Sequence, residues 1–266
     1  MIKDISSKFP SLASAHHLAY YFPSSHGRES DTISDNILKF KDNQEPFVTK
    51  WINLVISDVD SLPLVDFIVR VLGSDETSAS GNTSLDKLGR AMAEATDAKY
   101  CPTWVEKTRQ TQPLKFMGKA ARQNELDGIF TFSIKGKNRG NPRFNKGGKR
   151  FIKIMILDDV TTTGSTIKEL YRTIHKKYPK CPVHAFVLGK TFDSWVDGEA
   201  NNNQLLNRFN NAGGEKELDD NGAIVKVADK GRRVVPKKGF LWKYPNNPND
   251  LTTIKDDSWD DDDLPF

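Results

Sequence analysis

The stretch that most constrains this chain is residues 154–166, IMILDDVTTTGST, where an apolar run passes through two adjacent acids into a hydroxyl-rich, glycine-bent loop. The continuous apolar segment FIKIMIL at residues 151–157 predicts a buried strand, the strongest in the sequence, and residues 167–175 continue as a helix. That step delivers Asp158 and Asp159 to the carboxyl edge of a sheet, where α/β folds gather their ligands. The backbone N–H groups of Thr161, Thr162, Thr163, Gly164, Ser165 and Thr166 can converge with the helix N-terminus on an anion, and the hydroxyls add donors. Two carboxylates beside such a cradle would repel a bare phosphate. They suit a sugar phosphate, whose vicinal ribose hydroxyls donate to the acids while the loop takes the 5′-phosphate. The alternative is an ordinary strand-to-helix turn capped by threonines.

Elsewhere strands and helices alternate. Residues 65–72 (VDFIVRVL) read as a strand entering a Ser/Thr/Gly-rich loop, residues 128–134 as a second strand and residues 182–188 (PVHAFVL) as a third. Apolar residues at 85, 88 and 92 give residues 84–95 helical spacing, with Ser84 as N-cap. KWINLVI at 50–56 fits a helix or a buried strand. Ser14–Tyr21 (SAHHLAYY) fits a short helix, in which His16 and His17 are packing or surface residues. The alternation predicts an α/β fold, a Rossmann-like parallel sheet flanked by helices. Asparagine, glycine and charge dominate from residue 194, with one hairpin candidate at 223–235. The expected organisation is an N-terminal extension over 1–34 and a main domain over 35–193. A small irregular C-terminal extension follows over 194–244, then a flexible linker and acidic tail over 245–266.

With 266 residues the chain can bury a substantial core in one large domain or two small ones. No run of eighteen apolar residues is present, which excludes a membrane-spanning helix. Two cysteines, Cys101 and Cys181, exclude a disulfide scaffold and a four-cysteine zinc ribbon. The opening MIKDISSKFPSL lacks the apolar core of a signal peptide, so a cytoplasmic protein with no membrane partner is expected. The net charge of +4 conceals an asymmetry: six aspartates and no base in the last eleven residues leave the rest carrying +10. Either an anionic partner or a plain solvated surface is compatible with that charge.

The strand, the two acids and the T-T-G-small-T loop together resemble the phosphoribosyl pyrophosphate (PRPP) motif of type I phosphoribosyltransferases. Further positions resemble the ComF-like branch of that family. Arg109, Thr111, Arg122, Asn124, Gly128 and Phe130 follow its order, residues 69–74 stand at its pyrophosphate loop, and VLGKT at 187–191 resembles its closing strand. The resemblance covers about residues 35–192. It implies the type I phosphoribosyltransferase fold and transfer of a 5-phosphoribosyl group from PRPP to a nucleobase or amine acceptor, with release of pyrophosphate through an oxocarbenium-like state. Asp158 and Asp159 are then catalytic, and with the 161–166 loop they bind PRPP. Arg70, Leu72, Gly73 and Ser74 form the pyrophosphate loop, and Arg70, Lys107 or Arg109 neutralises the leaving group. Mg²⁺ would arrive with PRPP, held by substrate and water with no direct protein ligand.

The departures are specific. The four-cysteine module common in ComF-like proteins is missing, and the proline-rich approach to the pyrophosphate loop is here Val69-Arg70-Val71-Leu72. Thr162 stands where hypoxanthine–guanine transferases carry an aspartate base, which disfavours a 6-oxopurine acceptor. No cysteine follows Met1, which excludes a glutamine-hydrolysing amidotransferase.

Two motifs lie outside that resemblance. Residues 260–266, Asp260, Asp261, Asp262, Asp263, Leu264, Pro265 and Phe266, join an acidic run to an apolar ring beside a carboxylate. A partner with an apolar pocket, a basic rim and a carboxylate-binding arginine could read that set. The ending resembles the C-terminal peptide of bacterial single-stranded-DNA-binding protein (SSB), which implies docking to the enzymes that bind that peptide; a solubilising tail is the plainer alternative. The second motif is the basic loop at 135–150, where Lys135, Lys137, Arg139, Arg143, Lys146, Lys149 and Arg150 accompany Phe144 and no acid. It is expected to be able to track a nucleic-acid backbone. Residues 194–255 supply about two of the five strands of an OB-fold, so the chain is not expected to be an SSB itself.

Three functions follow from these features. The first is a phosphoribosyltransferase of bacterial DNA or nucleotide metabolism, including the anti-phage systems that carry similar domains. The second is a non-catalytic PRPP or nucleotide sensor, and the third a DNA-associated adaptor acting through loop and tail. The intact acids and phosphate loop favour the first two, with the enzyme leading.

Overall fold

In the computed structural model, which describes residues 2–23, 31–112, 117–134, 152–193, 197, 202–212, 217–218 and 224–226, the elements follow one another in a regular alternation. The N-terminal half holds β1 (Lys3–Asp4), β2 (Ser14–Tyr21), α1 (Thr32–Lys41), α2 (Phe47–Ser57), β3 (Phe67–Arg70), α3 (Ser84–Thr96), β4 (Lys99–Tyr100) and β5 (Val105–Lys107). There follow α4 (Lys119–Leu126), β6 (Phe130–Phe132), β7 (Ile154–Thr161), α5 (Ser165–Lys177), β8 (Val183–Thr191), α6 (Asn203–Asn211), β9 (Glu217–Leu218) and β10 (Ile224–Lys226).

Six strands form the main sheet in the order β1-β2-β8-β7-β3-β4, parallel throughout except for β1 against β2. The fold is thus α/β with a mostly parallel sheet flanked by helices, as the alternation predicted. Residues 154–157 of β7 are at most 1% exposed and nearly all of β8 is buried, because a parallel strand covered on both faces must be apolar along its whole length. The same rule explains a misreading. Ser14–Tyr21 is the strand β2 rather than a helix, with Leu18, Ala19 and Tyr20 all buried between β1 and β8. Its histidines do pack: the His17 ring bonds the Ala19 carbonyl at 2.9 Å, and His16 Nε2 lies 3.0 Å from Ser14 Oγ.

Other expectations shift in detail. KWINLVI lies within the helix α2. The cap of α3 is Thr83 rather than Ser84, because Thr83 Oγ1 accepts the Asp86 N–H while the Asp86 carboxylate accepts the Thr83 N–H. The strand expected at 128–134 shortens to β6 and pairs with β5 in a separate two-stranded sheet. In place of a hairpin within 223–235, β10 pairs with the upstream β9, and residues 227–235 lie outside the described residues. β7 starts at Ile154 and runs on through Thr161, so both acids belong to the strand itself.

Residues expected to lie apart join the core. β2, within the 1–34 extension, sits inside the sheet, and α6, beyond residue 193, packs on α1 and α2. Phe209 of α6 is 1% exposed and lies 4.8 Å from the fully buried Trp51 ring, centroid to centroid. Truncating either ring to alanine would cost about 3–5 kcal/mol. Asn202 brackets Tyr20, accepting its N–H at 3.0 Å and donating to its carbonyl at 2.7 Å. Among the described residues no helix is long and apolar enough to cross a membrane, and both cysteines are free thiols that burial pushes up to about 12.

Candidate functional site

The site begins where two neighbouring strands part. β3 pairs with β7 only as far as Arg70 opposite Leu157, while β7 continues beside β8, with Asp158 opposite Val187 and Thr161 opposite Lys190. The paired part of β3 and β7 therefore ends one residue before the acids, at the carboxyl edge. Asp158 is buried, and its Oδ1 accepts the Asp159 N–H at 2.9 Å. Asp159 is half-buried, and its Oδ2 lies 3.1 Å from Lys41 Nζ at the end of α1. Burial first, and the Asp159 carboxylate second, hold the Asp158 carboxyl well above the usual range, towards its neutral form. The Asp159 charge in turn raises the Lys41 ammonium. The two acids thus differ: Asp158 is held towards a carboxyl able to donate as well as accept, and Asp159 is ion-paired with Lys41. They do not fit a bare divalent cation, since one is held towards protonation and the other already carries an ammonium. No cluster of three or more metal-binding side chains occurs among the described residues.

The loop behind them is pinned from both sides. Thr162 accepts from Lys8 Nζ through its carbonyl and from Arg122 Nη1 through its hydroxyl, the latter at 2.9 Å. Thr163 Oγ1 and Ser165 Oγ lie 2.7 Å apart. Thr161 is 2% exposed and its hydroxyl has no partner among the described residues. Gly164 caps α5 at φ +73°, and a Cβ there would meet the Phe9 ring at 2.3 Å, so only glycine fits. No side chain caps α5, and its first turn, which includes Ser165 and Thr166, carries no acid. Its N–H groups are left to attract an anion. Alongside lies a cavity of about 260 Å³ lined by Thr163, Ser165, Lys168, Arg172, Gln123 and Leu126, among others.

The expected pyrophosphate loop is built differently. Arg70 is 1% exposed, and its guanidinium donates to Asp86 (2.7 and 3.2 Å), to Glu76 (2.7 Å from each Nη) and to the Val71 carbonyl (2.9 Å). Burial works against its charge, but the Glu76 and Asp86 carboxylates outweigh that and raise it. The Gly73 N–H donates to Glu76 Oε2 at 2.8 Å, Leu72 is buried, and the Ser74 carbonyl accepts the Thr111 N–H at 2.9 Å. Arg70 is therefore a structural ion-pair residue rather than a cation open to pyrophosphate. The other candidates are also committed. Lys107 Nζ bonds the Gly73 carbonyl, with burial drawing it down to about 8, and Arg109 pairs with Glu125 at 2.6 Å on the surface.

The remaining positions of the resemblance gather around these loops. Gly128 adopts φ +66° and donates its N–H to Glu169 of α5 at 3.0 Å, Phe130 is buried in β6, and Asn124 is exposed on α4. Lys190, in the closing strand β8, is buried in an ion pair with Asp197. The basic residues Lys135, Lys137, Arg139, Arg143, Lys146, Lys149 and Arg150 and the tail at 260–266 lie outside the described residues. Sequence reasoning missed Lys8, Phe9 and Lys41. Each reaches the site across more than a hundred residues, and no local pattern announces that approach.

No protein-family model matches the chain, and no curated protein matches it. Among solved structures it is similar to the adenine phosphoribosyltransferase of Leishmania tarentolae, at 9% identity and TM-score 0.36 over 71% of this chain and 94% of that one. The Saccharomyces cerevisiae adenine phosphoribosyltransferase, complexed with an imino-altritol bisphosphate and adenine, is similar at 13% identity and TM-score 0.30, over 56% and 72% of the two chains. The Leishmania donovani adenine phosphoribosyltransferase is similar at 9% identity and TM-score 0.32, over 71% and 86%.

Proposed function

We propose that the chain binds a 5-phosphoribosyl ligand at the carboxyl edge of its sheet, with the activity class of a PRPP-dependent phosphoribosyltransferase. The observation that carries this is the juxtaposition of an acid pair, one member buried and one half-buried, with the uncapped N-terminus of α5, one loop away along the chain. In this reading the α5 N–H groups and the Thr163 and Ser165 hydroxyls take the 5′-phosphate. Asp158 and Asp159 hold the ribose hydroxyls, and the Asp159 charge stabilises cationic character developing at C1′. Mg²⁺ would be carried by the ligand's own phosphates, because the acids do not form a cage for it. The acceptor is a nucleobase or amine. Two finer elements belong to the same proposal: nucleic-acid contact through the 135–150 loop, and docking of residues 260–266 to enzymes that bind the SSB tail, in bacterial DNA metabolism or anti-phage defence.

The test is calorimetry with PRPP and Mg²⁺. Wild type should bind, while Asp158→Asn combined with Asp159→Asn should lose binding with an unchanged circular dichroism spectrum. A double variant that binds like wild type would falsify the assignment. A second reading, a non-catalytic sensor of phosphoribosyl compounds, is favoured by one observation: the Arg70–Glu76 closure takes the Arg70 guanidinium out of the cations that could meet a leaving group.

A further inference from the structure

We propose that the ligand taken by this site is a ribose 5-phosphate monoester, ribose 5-phosphate or a nucleoside 5′-monophosphate, because Glu76 of the chain itself fills the place of a second anion. The proposal rests on the 5-phosphoribosyl ligand of the reading above, narrows it, and favours the sensor over the transferase, which needs room for pyrophosphate. β3 and β7 are parallel neighbours, so the loop after β3 and the loop after β7 leave the same edge of the sheet. In the β3 loop the Glu76 carboxylate accepts from the Gly73 N–H at 2.8 Å and from both Nη atoms of Arg70 at 2.7 Å. These are the donors an incoming phosphate would need.

Arg70 has no donor left over. A guanidinium has five N–H groups. Arg70 makes five bonds, to Asp86 twice, Glu76 twice and the Val71 carbonyl. Asp86 cannot swing aside easily, since Thr83 and the Tyr100 hydroxyl, at 2.7 Å, hold it as well. Asp75 Oδ1 lies 3.0 Å from the point where a Gly73 Cβ would stand, so a pyrophosphate here would meet two carboxylates, against the one Lys107 ammonium on the Gly73 carbonyl. Charge repulsion adds to the steric block. The β7 loop has the opposite character, with Lys8, Arg122 and Lys168 reaching it and no acid in the first turn of α5. One phosphate has a prepared place and the other does not.

Calorimetry on the full chain tests this with ribose 5-phosphate, with PRPP in the presence and absence of Mg²⁺, and with pyrophosphate as competitor. Ribose 5-phosphate and PRPP should bind within about threefold of each other, with or without Mg²⁺, and pyrophosphate should not compete. PRPP binding at least about tenfold tighter, or displacement by pyrophosphate, overturns the inference and leaves the 5-phosphoribosyl reading standing. If neither sugar phosphate binds, that reading fails and the inference with it. Glu76→Ala should create pyrophosphate competition and a preference for PRPP of about tenfold or more; no gain counts against the plug. Glu76→Gln, which keeps the side-chain shape, should show a smaller gain in the same direction and decides the matter if the alanine variant does not fold.

Discussion

The loops after β3 and β7 start as near equivalents. Both leave parallel strands at the same sheet edge, and both carry a glycine just past the strand, Gly73 or Gly164. They end as opposites. Glu76 folds back onto the Gly73 N–H and the Arg70 fork, so the β3 loop satisfies its own donors, whereas the helix after Gly164 has no side-chain cap. Topology delivers both loops to the place where α/β folds bind ligands. A single acid three residues past the glycine decides which of them stays available. Fold places a site, and side chains decide its use.

The comparison predicts that damage to the β3 loop is felt as stability and damage to the β7 loop as binding. The largest effect should come from Asp86→Ala, which leaves the buried Arg70 short of a partner and also removes the α3 capping box. A loss of about 3–5 kcal/mol is expected in urea denaturation. A loss below about 1 kcal/mol would mean the β3 loop is not held as described.

Acid titration separates the loops next. Glu76 and Asp86 are held below the usual carboxylate range by Arg70, against the opposing effect of burial, so the stability they contribute is lost as pH falls through the carboxylate range. Asp158 is held above it, so its contribution is present in acid and is lost as pH rises. Asp86→Asn should therefore flatten the acid limb of the stability profile and Asp158→Asn should steepen it. Two buried histidines add a term at higher pH, because burial draws His17 and His184 down to about 4 from 6.5. The unfolded chain takes up their protons first as pH falls, so His17 should cost about 2 kcal/mol by pH 5 and the less enclosed His184 less. His17→Gln should remove that part of the slope.

A smaller contrast, in backbone rather than in polar side chains, runs the other way in the two glycines. Gly164→Ala should cost about 1–3 kcal/mol, since it combines a positive φ with a clash against Phe9. Gly73→Ala should cost less than about 1 kcal/mol, because the one tight contact of its Cβ would be the movable end of the Asp75 side chain. Equal losses would remove the distinction.

Much of the sheet was legible for one physical reason: β7 and β8 are buried on both faces and must be apolar along their length. β2 obeys the same rule, yet SAHHLAYY carries two histidines and two tyrosines and passed for a helix. That the two acids and the hydroxyl-rich loop share one strand-to-helix step was legible because they are contiguous in sequence. Arg70 was misassigned because a sequence reveals a cation but not its partners, here six and sixteen residues away. Lys41 and Phe9 were invisible because the fold alone brings them to Asp159 and Gly164.

The central claim, that the β7 loop is open to one phosphate and the β3 loop is sealed, is tested most directly by following backbone amide resonances during a ribose 5-phosphate titration. The Gly164 and Ser165 amides should move together and saturate on one binding curve, while the Gly73 amide, already bonded to Glu76, stays in place. A Gly73 amide that moves with them, or a Gly164 amide that does not move, would contradict the account.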